Sequence, residues 1–261
     1  MLPNTVIASE INPLCGATPD NMPASPSIAL KQQMALWYRT SLGGDTLADV
    51  VKDLLCQCER RGLQLIIRDW THHDFRKSTL NHGRPSYQFK IIRELEEVAE
   101  LTVFAFVRDA IDVYLSSKPD LNDFAKDYFA YVREILKNNI PIVKYEDIVS
   151  SPDHTVRAIC DMTGLTYSDS YRLFTENTRC TGDIQLGRVS RGIRQKSVAA
   201  LPRKRMARKV RSQIDNCDTI LQANRLLGYP ALYNNGRVET SCQMLARRVC
   251  NCIGKLCPRG S

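Results

Sequence analysis

Residues 101–117 constrain this chain more than any other stretch. The run Leu-Thr-Val-Phe-Ala-Phe-Val, ending at Val107, is rich in β-branched and aromatic residues and too short to cross a membrane. It reads as a buried parallel strand. The run stops at Arg108-Asp109, and Asp109 stands where a helix N-cap belongs. Ser116 follows Arg108 by eight positions; two helical turns span about seven residues, so it returns to the face that starts beside Arg108. A guanidinium and a hydroxyl thus converge at the carboxyl edge of a strand, where open α/β sheets bind ligands. The planar fork of the arginine and the short hydroxyl suit a phosphate. The same spacing also fits an arginine paired with Asp109 beside a serine that merely closes a turn.

The surrounding pattern is that of an α/β domain. Residues 12–27 are rich in Pro, Asn, Ser and Gly and read as an irregular loop. Ile28 to Arg39 reads as a helix. Asp45 then caps a second one, with Leu47, Val50, Val51, Leu54 and Leu55 at helical spacing and Gly62 at its end. Leu63 to Ile67 is a short buried strand, Arg76 to Tyr87 a polar loop, and Gln88 to Glu100 a helix. Asp120 opens a long amphipathic helix with Leu121, Phe124, Tyr128, Tyr131, Val132 and Ile135 along one stripe. Ile140 to Tyr145 is the next strand, and Ser151-Pro152 start another helix. Arg203 to Leu227 reads as the last one. Strands alternating with helices give βαβ units and a mostly parallel sheet. The expected division is a domain over residues 1–233 and a basic, cysteine-bearing tail over 234–261.

With these segments in view, the chain resembles the sulfotransferases that use 3'-phosphoadenosine 5'-phosphosulfate. Arg108 and Ser116 match the family's arginine–serine pair for the nucleotide 3'-phosphate in type and spacing. Ile66-Ile67-Arg68-Asp69-Trp70-Thr71-His72 is similar to the strand-end segment of bacterial members. Ile142-Val143-Lys144-Tyr145-Glu146-Asp147-Ile148-Val149 is similar to their recurrent Arg-Tyr-Glu-Asp-Leu strand. Thr181-Gly182-Asp183 opens a loop carrying Arg188, Arg191 and Arg194, as in the family's nucleotide-covering loop. The resemblance implies a three-layer P-loop-like fold. It also implies His72 as catalytic base, and Arg108, Ser116, Arg188 and Arg191 as nucleotide-binding residues. One signature is missing: no glycine-rich strand–loop–helix precedes residue 60. Gly16 and Gly43-Gly44 follow no suitable strand, although a 5'-phosphosulfate is held by backbone N–H groups of such a loop. Thr5 to Pro13 resembles family sequence lying just after the first helix, so the chain is expected to begin one strand and one helix late.

The net charge of +8 is uneven. Residues 201–261 hold 12 Lys or Arg against three acids, whereas the first 200 hold 24 against 25. That quarter suits phosphates or acidic glycans, or is simply a solvated face. Its run Pro202 to Val210 lacks interleaved aromatics, so nucleic acid is not an expected partner. No stretch reaches the roughly 20 apolar residues of a membrane span. No leader is evident over residues 1–14, and the expected location is the cytoplasm. Ten cysteines do not form a disulfide scaffold, since most are scattered through a large domain. The four between Cys242 and Cys257 lack Cys-x-x-Cys spacing and a nearby histidine, so no metal site is expected.

Sulfuryl transfer requires a base for the acceptor proton and donors for the leaving phosphate. His72 is the candidate base, with His73 adjacent, Asp74 able to orient either ring, and Trp70 beneath. Glu146 and Asp147 are expected to pair with arginines. The acceptor would be a hydroxyl or amine on a small molecule or glycan. The competing expectation is an inactive relative that keeps the 3'-phosphate pocket and acts as a nucleotide-binding or interaction protein. A nucleoside-kinase-like phosphotransferase fares worse, because its Lys-Ser/Thr loop is missing too.

Overall fold

Thr5–Asn12 (β1) is a strand whose sequence mixes small, polar and aliphatic residues; most of it is buried. The computed structural model describes residues 3–76, 85–172, 198–200 and 202–230. β1 runs parallel to Gln64–Asp69 (β4) from Thr5 opposite Gln64 to Ile11 opposite Asp69, with a bulge between Ser9 and Ile11. At its far end β1 turns into Cys15–Ala17 (β2), which pairs antiparallel with Pro23–Ala24 (β3). The order is β3-β2-β1-β4. Thus the expected irregular loop at 12–27 contains two short strands. Gly16 is required there by close approach: an added Cβ would come within 2.5 Å of Ala29 Cβ.

Pro26–Tyr38 (α1) and Leu47–Arg60 (α2) cover this sheet. The cap of α2 is Thr46 rather than Asp45, in a capping box with Asp49. Leu47, Val50, Val51, Leu54 and Cys58 form its buried stripe and join Val6, Ala8, Ile11, Leu30 and Met34 in one core. α1 also sends Gln33 and Tyr38 to the backbone of β1. Gln33 accepts from Ser9 N at 2.8 Å and donates to Ser9 O and Ala17 O, both at 2.6 Å; Tyr38 accepts from Ile7 N at 2.8 Å. Beyond the short reach of β2, side chains therefore complete the hydrogen bonding of this edge.

After β4 come His72–Phe75 (α3) and Lys90–Leu95 (α4), the latter half the length expected for 88–100. Ala105–Val107 (β5) leads through the Asp109 cap into Ala110–Ser117 (α5), and Leu121–Lys137 (α6) follows. Ile142–Lys144 (β6) pairs parallel with β5, then Tyr145–Ser150 (α7) and Pro152–Thr163 (α8) follow. α8 stops at Gly164, whose φ of +68° suits the missing Cβ. The expected helix at 203–227 is broken. Residues 202–207 lie outside any helix, and Arg208–Asp215 (α9) and Asp218–Leu226 (α10) meet at Asn216-Cys217.

The chain is α/β, but one mostly parallel sheet is not what forms. Among the described residues there are two ladders, a mixed four-stranded one and a parallel pair. Residues 101–104, expected as strand, join neither. Their apolar content is strand-like, but a strand persists only where another backbone lies alongside. The expected tail at 234–261 lies outside the described residues.

Candidate functional site

The β5–α5 junction positions Arg108. Asp109 caps α5 by accepting from Ile111 N at 2.9 Å, and Tyr128 of α6 donates to Arg108 O at 2.5 Å. The Arg108 guanidinium lies over the Tyr145 ring, 4.4 Å from its centroid. One of its terminal nitrogens is 3.8 Å from Asp112, while its Nε is buried with no acceptor among the described residues. A buried charged donor left without an acceptor is costly, and a bound anion removes that cost. Ser116 lies one turn beyond Asp112 on α5, four positions further along. Its hydroxyl donates to Val113 O at 2.8 Å. Arg108 reaches Asp112, Ser116 bonds within its own turn, and among the described residues the two make no hydrogen bond to each other.

Sequence reasoning missed what neutralises Asp112. Arg203 is paired with Asp109 and, through Nε at 3.1 Å, with Asp112. Burial pushes the Asp112 carboxyl up, and Arg203 opposes that. Lys204 donates to Leu115 O at 3.0 Å and lies 3.5 Å from Ser116 O. An expected helix face at 203–205 is instead a non-helical segment that brings Arg203 to the start of α5 and Lys204 to its end. The signal was the dense Arg-Lys-Arg run, but only its departure from helix reveals its aim. α10 docks the same junction through Asn224, fully buried, which donates to Asp109 Oδ1 at 3.0 Å and accepts from Ala110 N at 2.8 Å. Glu146 does not pair with an arginine as expected: it accepts from Tyr229 Oη at 2.6 Å and from Asp109 N at 3.5 Å.

A second polar group sits at the carboxyl ends of β1 and β4. Glu10 occupies the bulge with φ 55° and pairs with Arg68 at 2.7 Å. Non-glycine residues in that region are strained, and such positions concentrate at working sites. Asn12 bridges two carboxylates, donating to Asp69 Oδ1 and Asp74 Oδ2, both at 2.9 Å. Among the described residues Asp69 Oδ2 is buried without a donor, and burial, with the Asp74 charge adding to it, pushes this carboxyl up to about 7. His72 opens α3 and is exposed, whereas His73 is buried, its ring edge-on to Trp70 at 4.5 Å between centroids. Burial lowers the His73 pKa, which keeps the ring neutral and able to accept a proton. Asp74 is held by Asn12, Ser86 and Lys90 N. Glu10 and Asn12 were overlooked because nothing in the local pattern marks a bulge.

Arg188, Arg191 and Arg194 lie outside the described residues. Among the described residues no cluster of His, Cys, Asp or Glu is arranged to hold a metal, and no helix is long and apolar enough to cross a membrane. Cys15, Cys56, Cys58, Cys160 and Cys217 are free thiols. A cavity of about 470 Å³ at the amino end of β1, lined by Val6, Met34, Tyr38, Leu54 and Leu63, shares no residue with the groups above. Compared with known proteins, the chain matches no family model, no curated protein and no solved structure.

Proposed function

We propose that the chain binds the 3'-phosphate of an adenine nucleotide at the β5–α5 junction and, as a sulfotransferase, serves sulfuryl transfer from 3'-phosphoadenosine 5'-phosphosulfate to a hydroxyl or amine. The observation that carries this reading is the Arg108 Nε, buried at a strand's carboxyl end with no acceptor among the described residues. Ser116 and Lys204 support it, since a hydroxyl and an ammonium stand on the same stretch of α5. Arg203 offsets one of the two nearby carboxylates, so Arg108, Arg203 and Lys204 against Asp109 and Asp112 leave an excess of one positive charge for an incoming phosphate. The nucleotide supplies an activated sulfuryl group whose transfer needs no redox step. The protein's part is to hold the phosphates and to take the acceptor proton. His73 fits the proton role better than His72 in one respect, for its buried ring is fixed edge-on against Trp70.

A second reading is nucleotide binding without turnover. Two measurements separate the readings. Calorimetric titration should show adenosine 3',5'-bisphosphate binding at least about tenfold tighter than adenosine 5'-monophosphate, since only the first brings the extra charged hydrogen bonds to Arg108. Equal affinities remove the 3'-phosphate site. Transfer of labelled sulfate to a panel of phenols, amines and glycans then distinguishes enzyme from binding protein.

A further inference from the structure

Asp112, on the first turn of α5, stands between two arginines. Arg108 brings a terminal nitrogen to 3.8 Å of Asp112 Oδ2, and Arg203 brings Nε to 3.1 Å of the same oxygen. Only the shorter approach is a hydrogen bond; the longer is an ion pair held apart. Arg203 also donates to Asp109 through a terminal nitrogen. Among the described residues it is therefore the one cation paired with both carboxylates. Both Asp109 oxygens are already engaged: Oδ1 accepts from Ile111 N and Asn224, and Oδ2 takes Arg203. Arg108 keeps a buried Nε with no acceptor among the described residues.

The place of Arg203 is set by its own segment and needs no ligand. Lys204 donates to Leu115 O at 3.0 Å, and Met206 packs on the cluster that holds Ile111, Leu115 and Phe124. The side chains of Asp109 and Asp112 are 2% and 6% exposed, and that of Arg203 is 15% exposed. Carboxylates so placed cannot turn to water; each must be met by a cation or take up a proton. With Arg203 removed, the cation left beside Asp112 among the described residues is Arg108. A guanidinium that closes on a carboxylate commits its planar fork there, and a fork so committed has less to offer a phosphate.

We propose that Arg203 is a positioning residue for the phosphate site: by holding Asp112 it stops Arg108 from closing on that carboxylate, and so keeps the Arg108 fork open to an anion. The inference rests on the phosphate reading given above. Arg203 itself stays off the phosphate, for its Nε and a terminal nitrogen are committed to Asp112 and Asp109. Its effect passes through Asp112, which sets it apart from a general supply of positive charge. Arg205, two residues on and exposed, carries the same charge but makes no ion pair with either carboxylate among the described residues. Coupling of this kind is reciprocal. An anion that draws Arg108 away from Asp112 leaves the carboxylate to Arg203 and tightens residues 202–207 on α5.

The test uses the full chain at about pH 8, where the ionised carboxylate is favoured, with Arg203→Gln, Asp112→Asn, the two combined, and Arg205→Gln. Without nucleotide, exchange of the Arg108 guanidinium protons with water, read by NMR, should slow by about tenfold in Arg203→Gln, since protons bonded to a buried carboxylate are protected. The slowing should vanish when Asp112→Asn is added. In calorimetric titration of adenosine 3',5'-bisphosphate, Arg203→Gln should bind about tenfold more weakly, yet cost less than about threefold in the Asp112→Asn background. Arg205→Gln should stay within about twofold of the parent, as a screened surface charge does. Unchanged exchange in Arg203→Gln overturns the proposal. So does an equal loss of affinity with and without the Asp112 charge, or a loss from Arg205→Gln as large as that from Arg203→Gln. Should Arg203→Gln fail to fold, Asp112→Asn against the combined variant decides, and a loss beyond about threefold there overturns the proposal. Slowing that reverses as described, in a parent that binds no bisphosphate, upholds the hold of Arg203 over Arg108 and removes the phosphate reading instead.

Discussion

Asp69→Asn tests the electrostatics of the β1–β4 end. Among the described residues the carboxyl has no donor for Oδ2, receives one hydrogen bond from Asn12, and shares that asparagine with Asp74. Burial with that neighbour raises it from 3.8 to about 7. A folded-state pKa above the unfolded one means the native state favours the proton. The associated stability is fully present below about pH 4 and is lost as pH rises through 7. At about 1.4 kcal/mol per pH unit, the whole difference is on the order of 4 kcal/mol. Relaxation and water entry reduce it, so we expect roughly 1–3 kcal/mol in practice. Asparagine keeps the acceptor for Asn12 and carries no charge. Urea unfolding from pH 4 to 8 should therefore show the variant gaining on the parent by that amount across the range. A stability difference that does not change with pH would refute the reasoning, whatever its size.

Three further substitutions probe the parts that hold the site. Asn224→Ala removes the groups that meet Asp109 Oδ1 and Ala110 N in a fully buried position; chemical denaturation should show a loss of about 2–4 kcal/mol. Gln33→Leu fills the same space but strands Ser9 N, Ser9 O and Ala17 O, and should cost about 2–4 kcal/mol by the same measurement. Gly16→Ala sets a Cβ 2.5 Å from Ala29 Cβ and 3.2 Å from Pro26 Cα. Helix α1 must shift, so the thermal midpoint should fall by the equivalent of about 1–3 kcal/mol; an unchanged midpoint would mean that α1 is not tightly seated.

What the sequence revealed follows from where local pattern and tertiary structure agree. The Asp109 cap, the stripe of α2 and the long helix after Asp120 were legible because their signals lie within a few residues. The strand Thr5–Asn12 was not, since Thr, Ser, Glu and Asn break its apolar run and its bonding comes from β4 and from Gln33. Glu10 needed a bulge that only pairing with β4 creates. Residues 203–207 carry helix-forming side chains, yet Arg203 is pulled to Asp109 and Asp112 across more than ninety positions of chain. At the start of α5 the sequence drew attention to Arg108 and Ser116, but the carboxylate of Asp112 that Arg108 meets was overlooked. Segment 101–104 shows the opposite failure, in which good strand residues lack a neighbouring backbone.

The most direct measurement is calorimetric titration of adenosine 3',5'-bisphosphate into the parent chain and into Arg108→Ala. Losing charged hydrogen bonds to the phosphate should weaken binding by on the order of 2–3 kcal/mol, or about 30- to 150-fold. Identical affinity in parent and variant, or no binding to the parent, contradicts the assignment of this edge to a phosphate.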